Sequence, residues 1–363
     1  MKCVGGLFDR VADVRTLVWA AWRAARGKRH RPEVAAFLAG VDAELSAISS
    51  ALRNGTFWFS DYRVFTIRDP KTRAIHAPPF RDRVVHHAIV NAAGPVLERG
   101  AVAHSYACRT GRGQHAALSR VRQWARQGDW FLKVDVRKFY DSVDHAILRT
   151  MLARRFRDRR LLGLFDRLID SYALAPGKGL PIGALTSQYL GNFYLDPVDH
   201  WVNQTCGLSR YLRYMDDLLA LGSPEALDNL RRRLKAVLEG LGLEPKGAGV
   251  LNRCELGVPY LGFVVYPNRV RLNRQGRRRL RRRLQVIERA FLRGRAGELD
   301  LQSRADALFA HARFGDDVAW RREVARFTRI GEAHEPEPRP ARRVVEQRGQ
   351  ELPVGLSQQE QAG

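Results

Sequence analysis

Asp135 closes a short apolar stretch, FLKVDV (131–136), and Asp216 and Asp217 stand side by side within RYLRYMDDLLALG (210–222). Aspartates in this pattern suit one kind of chemistry. Held on rigid, separate segments that meet in one sheet, they offer hard oxygen ligands. Mg²⁺ takes carboxylate oxygens, waters and phosphate in octahedral geometry. Two such ions about 3.5–4 Å apart draw the proton from an attacking hydroxyl and neutralise a departing pyrophosphate. Three carboxylates brought together without cations repel one another, so their convergence would define a metal site. An Asp-Asp pair alone carries little. The chain holds a second, Asp316-Asp317, in a stretch of helical character that reads as a solvated face. The pair at Asp216 differs, because charge inside an apolar hairpin is costly without a partner. The ordinary alternative for Asp135 is a helix N-cap, a role that Asp141 and Asp144 fit better.

The surrounding sequence must supply elements to position these acids. Residues 8–53 read as helices, with stripes at Leu17, Ala20, Ala21 and Ala24 and at Phe37, Val41, Leu45, Ile48 and Leu52. The period changes over 57–77, which reads as two strands with a turn at Asp69-Pro70-Lys71. Helix returns over 83–99. FLKVDV reads as a strand and 210–222 as a β-hairpin. Residues 144–174 read as mostly helical and strongly basic, 175–183 as a Gly/Pro loop and 185–202 as one buried helix. Another helix follows over 224–240, then two short strands near 250–272. Residues 277–294 predict an amphipathic helix with Leu280, Leu284, Ile287 and Phe291 on one side and arginines over the rest. From Gly331 the composition turns to Glu, Pro, Arg and Gln without period, so 331–363 reads as a disordered tail. The fold class expected from this order is α+β.

Charge narrows the partners. Lys and Arg total 62 against 38 acids, a net +24 over 363 residues. Such a surplus builds a positive surface field, and nucleic acid is the polyanion it most often serves. A membrane surface is the competing reading. No segment approaches the length of an uncharged apolar span, so no membrane role is expected. The N-terminal MKCVGGLFDRVADV lacks an apolar h-region, and a cytoplasmic location is the expectation. Cys3, Cys108, Cys206 and Cys254 are too scattered for a zinc site or a disulfide framework and read as ordinary thiols.

The motifs then resemble one family. Tyr214-Met215-Asp216-Asp217 resembles the YxDD motif of reverse transcriptases, and FLKVDVRKFYDSVDH (131–145) their first metal-binding motif. GLPIGALTSQYLGNFYLDPVDH (179–200) resembles the loop and helix under template and incoming nucleotide. GLEPKG (242–247) and VPYLGFVVYP (258–267) resemble the next two motifs. Upstream, APPFRDRVVHHAIVNA (77–92) and HSYACRTGRGQHAAL (104–118) are similar to fingers motifs of bacterial members. Group II intron and retron enzymes usually read Gln-Gly-x-x-x-Ser-Pro in the third motif. Here the segment is Ile182-Gly183-Ala184-Leu185-Thr186-Ser187-Gln188, which resembles the variant of diversity-generating retroelements. Those enzymes copy a template-repeat RNA with errors at adenines.

The resemblance implies a right-hand polymerase: fingers over 1–128, a palm of antiparallel sheet with packed helices over 129–268 with interleaved fingers elements, and a small helical thumb over 269–330. It implies two Mg²⁺ ions on Asp135, Asp216 and Asp217, and a nucleotide site that includes Val136, Ile182, Gly183, Ser187 and Gln188. Tyr140 would sit beneath the sugar and crowd a 2′-hydroxyl; an ordinary core tyrosine is the alternative. Arg73, Arg81 and Arg83 are candidates for the triphosphate, against a general template-binding face. Lys246 is a candidate proton donor to the pyrophosphate, against one more basic surface residue. Arg277, Arg278, Arg281 and Arg282 would grip the duplex backbone. The implied partners are template RNA, primer and cDNA, dNTPs and a small basic accessory protein. Other bacterial reverse transcriptases, a silent RNA-binding scaffold and an RNA-templated RNA polymerase stay open as alternatives. The intact acids speak against the scaffold and Tyr140 against the RNA polymerase.

Overall fold

The N-terminal third is built from helices that hide small residues. In α1 (Phe8–Ala12), α2 (Val14–Ala25), α3 (Pro32–Ala39) and α4 (Val41–Arg53), the expected stripes at Leu17, Ala20, Ala21 and Ala24 and at Phe37, Val41, Leu45, Ile48 and Leu52 are buried, except that Val41 is half-buried. Asp13 starts α2 by accepting from the Arg15 and Thr16 amides at 2.9 and 3.1 Å. Strands β1 (Arg63–Arg68) and β2 (Thr72–Ala77) pair antiparallel as a two-stranded ribbon, and α5 (Phe80–Glu98) packs against both α1 and α2. The computed structural model describes residues 5–68 and 72–326. The turn expected at 69–71, Cys3 and the 331–363 segment lie outside them.

A helix that the sequence reading missed, α6 (Gln114–Ala125), precedes β3 (Trp130–Asp135). The short α7 (Phe139–Ser142) follows. The mostly helical, basic stretch expected at 144–174 holds two helices, α8 (His145–Arg155) and α9 (Arg159–Asp170), separated at the extended Phe156 and restarted by the Asp158 cap. Asp144 caps α8 by accepting from Ala146 and Ile147, as its spacing predicted. The buried helix over 185–202 is likewise two, α10 (Leu185–Tyr194) and α11 (Asp196–Thr205), broken where Pro197 opens the second. Then come β4 (Tyr211–Tyr214), β5 (Asp217–Gly222) and α12 (Pro224–Glu239). Four short strands, rather than two, follow: β6 (Val250–Arg253), β7 (Val258–Tyr260), β8 (Phe263–Val265) and β9 (Val270–Leu272). The chain continues through α13 (Arg274–Leu292), α14 (Glu298–Ala312) and α15 (Val318–Ala325).

The architecture is α+β. The central sheet runs β4-β5-β3-β6, and a second antiparallel sheet runs β7-β8-β9. Strand alternation divides the central sheet between two cores. Leu132, Val134, Leu218 and Ala220 face the core shared with α8 to α12. Phe131, Leu212, Leu219 and Leu221 face the core shared with α6, the second sheet and α13. Asp317 is largely covered rather than part of a solvated face, and Asp316, though exposed, is also bonded. Asp316 accepts from the Val270 amide at 2.7 Å, and Asp317 pairs with Arg271 at 3.2 Å and Arg277 at 2.6 Å, tying the C-terminal helices to β9. Among the described residues no single helix is long and apolar enough to cross a membrane.

Candidate active site

Sheet register places the acids. Asp135 ends β3 directly opposite Asp217, the first residue of β5, and Asp217 also pairs with Tyr214 of β4. Paired residues point to the same face, so Asp135 and Asp217 share the side that Phe131, Leu219 and Leu221 occupy. Met215 and Asp216 form the two-residue turn of the hairpin. Met215 adopts φ 53°, a conformation that non-glycine residues hold only where the surroundings impose it. The Val136 amide donates to the Asp216 carbonyl at 3.2 Å, which pins the turn against the end of β3.

Asp216 feels the other two carboxylates. Burial, joined by repulsion from Asp135 and Asp217, pushes Asp216 up to about 6. Two lysines offset the remaining charge. Lys133 reaches Asp217 at 3.2 Å, and Lys246 reaches Asp135 at 3.1 Å while its amide donates to the Asp135 carbonyl at 2.7 Å. No group of three acid, histidine or cysteine side chains is drawn together as a metal cage among the described residues. The donor set nevertheless fits Mg²⁺: all-oxygen, anionic and carried on rigid elements. Lys133 was missed from sequence, although a lysine one strand repeat before an acid on the same face was a usable signal.

Beneath the turn lies a buried network, also missed. Arg213 is fully buried and grips Asp199, with Nη2–Oδ2 at 2.7 Å and Nε–Oδ1 at 2.8 Å. The same guanidinium donates to Asn192 Oδ1 at 3.0 Å and to the Met215 carbonyl at 3.1 Å. Tyr211 completes the set by donating to Asp199 at 2.7 Å. Arginine in the apolar run YLRY and two acids in the helix LDPVDHW were the available clues.

Tyr140 lies beside the turn, its hydroxyl donating to Met215 Sδ at 3.9 Å, and burial raises its pKa. Gly191 of α10 allows this approach, since a Cβ there would meet Phe139 at 3.0 Å and Tyr140 at 3.5 Å. The Gly/Pro loop is fixed to β2. The His76 amide donates to the Ile182 carbonyl at 2.7 Å, and Gly183, at φ 126°, sits where a Cβ would lie 2.8 Å from Ile75 and 2.9 Å from the His76 carbonyl. Ser187 is buried. Gln188 is exposed and accepts from the Cys108 thiol at 3.2 Å. His86 of α5, held neutral by burial at a pKa of about 3, hydrogen-bonds Thr186 at 2.7 Å and joins α5 to the first turn of α10.

The three arginines separate. Arg73, on β2, exerts an attractive influence on both Asp216 and Tyr140. Arg81 lies over the Phe57 ring at 4.9 Å, and Arg83 donates to the Pro78 carbonyl at 3.2 Å near Glu33, Arg31 and Arg63. The α13 arginines divide as well. Arg277 is committed to Asp317, the Leu272 carbonyl and the Trp320 ring, and Arg281 to Glu323, whereas Arg278 and Arg282 stand exposed.

Residues 68–263 match the family described as reverse transcriptase (RNA-dependent DNA polymerase). The chain belongs to that family. It is similar to the COX1/OXI3 intron 1 protein of Saccharomyces cerevisiae, at 23% identity over 60% of this chain and 34% of that protein. It is also similar to protein YkfC of Escherichia coli, at 25% identity over 47% of this chain and 56% of that one. A third relative is the group II intron-encoded protein LtrA of Lactococcus lactis, at 23% identity over 45% of this chain and 29% of that one. The chain thus spans between about a third and about a half of the length of these relatives.

Proposed function

We propose that this chain is an RNA-directed DNA polymerase that copies a template RNA into cDNA. The observation that carries the reading is the register that sets Asp135 against Asp217, beside a turn that presents Asp216. Asp135, Asp216 and Asp217 would hold two Mg²⁺ ions, which when bound neutralise phosphate charge and acidify the attacking hydroxyl. Arg73 is the arginine assigned to the triphosphate because its charge reaches Asp216, whereas Arg81 lies over Phe57 and Arg83 donates to the Pro78 carbonyl. Lys246 is placed to supply the proton that the leaving pyrophosphate takes up, since its ammonium already lies on Asp135. Tyr140 excludes a 2′-hydroxyl by filling the space under the sugar. Exposed Arg278 and Arg282 contact the duplex backbone. In this reading residues 1–128 are fingers, 129–268 palm with interleaved fingers elements and 269–330 thumb, served by template RNA, primer, dNTPs and a basic accessory protein.

The finer assignment is to a diversity-generating retroelement. Its support is the segment Ile182 to Gln188, in which Ile182 presents no hydrogen-bonding side chain near the nucleotide. The intron-encoded relatives favour a second reading, a group II intron-type enzyme. Extension of a primed RNA by the purified chain, followed by sequencing of the cDNA, separates them. Errors concentrated opposite adenines support the retroelement assignment, and uniformly accurate cDNA refutes it.

A further inference from the structure

The outward face of α2 is unlike the surface of an ordinary helix. Val14, Val18, Trp19 and Trp22 are 37–45% exposed, and Arg15, Arg23 and Arg26 share their side of the helix. The opposite side, Leu17, Ala20, Ala21 and Ala24, is buried, and α2 packs on α5. The helix is therefore fixed, and its tryptophans are presented rather than left over from packing. Each ring carries a guanidinium: Arg23 lies over Trp19 at 5.4 Å and Arg29 over Trp22 at 4.7 Å. Between Asp13 and Glu33 the chain has six lysines and arginines and no acid. The exposed side of α2 faces away from α5, on which its buried side rests, and α5 in turn packs on α10.

We propose that this face is a second nucleic-acid site, outside the polymerase cleft, that binds an unpaired segment of RNA. Flat aromatic rings offer stacking to bases of any sequence, and the arginines supply backbone contacts and cation–π support. Charge complementarity selects a polyanion over a basic protein. A single-stranded segment is selected over a duplex because only unpaired bases expose faces to the indoles. A membrane surface is disfavoured, since the apolar part of the face is two valines and two rings on a helix whose other side is already buried. The inference rests on the reading of this chain as an RNA-copying enzyme only for the source of the RNA.

The test uses the full chain with Trp19→Ala and Trp22→Ala combined, and Trp19→Phe with Trp22→Phe as the conservative pair. Fluorescence anisotropy reports binding of a labelled 30-nucleotide unstructured RNA, and primer extension on a short primed template reports the cleft separately. Loss of stacking at both rings predicts at least about tenfold weaker RNA binding. The phenylalanine pair should largely restore binding, and extension of the short template should be unchanged. Arg23→Gln with Arg29→Gln should lessen the salt dependence of binding. Equal RNA affinity in wild type and the alanine pair overturns the proposal. So does retained RNA binding with lost affinity for anionic phosphatidylserine vesicles, or with a lost dimer in light scattering. Failure of the wild type to extend any primed RNA would instead count against the polymerase reading and leave the binding result to stand by itself.

Discussion

Replacing Arg213 by methionine should separate stability from activity. Arg213 and Asp199 are both fully buried, so the substitution leaves an anion with no counter-charge in a site closed to bulk solvent. Breaking such a pair costs about 3–5 kcal/mol. That is a large part of the roughly 5–15 kcal/mol that holds a domain folded, and it should lower Tm on the order of 10 °C. Adding Asp199→Leu removes the stranded charge and should recover much of the loss, because an apolar pair of similar volume can replace a buried ion pair. Activity should not recover with it. The Arg213 hydrogen bond to the Met215 carbonyl, 3.1 Å in the wild type, remains absent and the strained turn bearing Asp216 loses its support. Circular dichroism melts beside single-turnover primer extension make the comparison. A single variant that loses less than about 1 kcal/mol, or a double variant no more stable than the single, refutes the reasoning. A double variant with full activity refutes the positioning role.

Other outcomes follow from the same geometry. Asp196 is buried with no hydrogen-bond partner on either oxygen, and burial, opposed by Arg213 and aided by Asp199, pushes it up to about 7 from 3.8. The folded chain therefore holds a proton that the unfolded chain releases between those values, and this group's stability contribution falls as pH rises through that window. Asp196→Asn should flatten the fall, so the Tm advantage of the variant should grow from pH 5 to pH 8; an unchanged pH profile contradicts this. Gly183→Ala should cost about 1–3 kcal/mol from the positive φ alone, read by urea melts, with overlap on Ile75 and His76 adding to it. Tyr140→Ala should raise ribonucleotide incorporation relative to deoxynucleotide, measured by competitive extension; unaltered sugar discrimination would remove Tyr140 from the nucleotide site. Ile182→Gln should reduce adenine misincorporation in sequenced cDNA, and an unchanged error spectrum sinks the link between Ile182 and fidelity.

The site was legible in sequence where local pattern and chemistry coincide. Asp135 at the end of an apolar run and Asp216-Asp217 inside another could be placed on strands because alternation and the cost of a buried charge point the same way. Their register could not, since pairing of β3 with β5 depends on residues far apart in the chain. Arg213, Asp199 and Asn192 escaped notice because each is unremarkable alone and their hydrogen bonds exist only once α10, α11 and β4 meet. The helix break at Leu195 was hidden by continuous apolar periodicity, although Pro197 marked it. Asp317 was misread because its partners Arg271 and Arg277 are distant from it in sequence. The α13 arginines looked equivalent as a run, and only packing on α15 separates Arg277 and Arg281 from Arg278 and Arg282.

The most direct measurement is the rate of dNTP addition to a primed RNA as Mg²⁺ is titrated, for the wild type and for Asp135→Asn and Asp216→Asn. Each carboxylate is asked to supply several kcal/mol of charge stabilisation through the ions, so each variant should lose at least about a thousandfold in rate at saturating Mg²⁺. Both should remain folded by circular dichroism. Extension by either variant at close to the wild-type rate, or wild-type extension indifferent to Mg²⁺, would contradict the account.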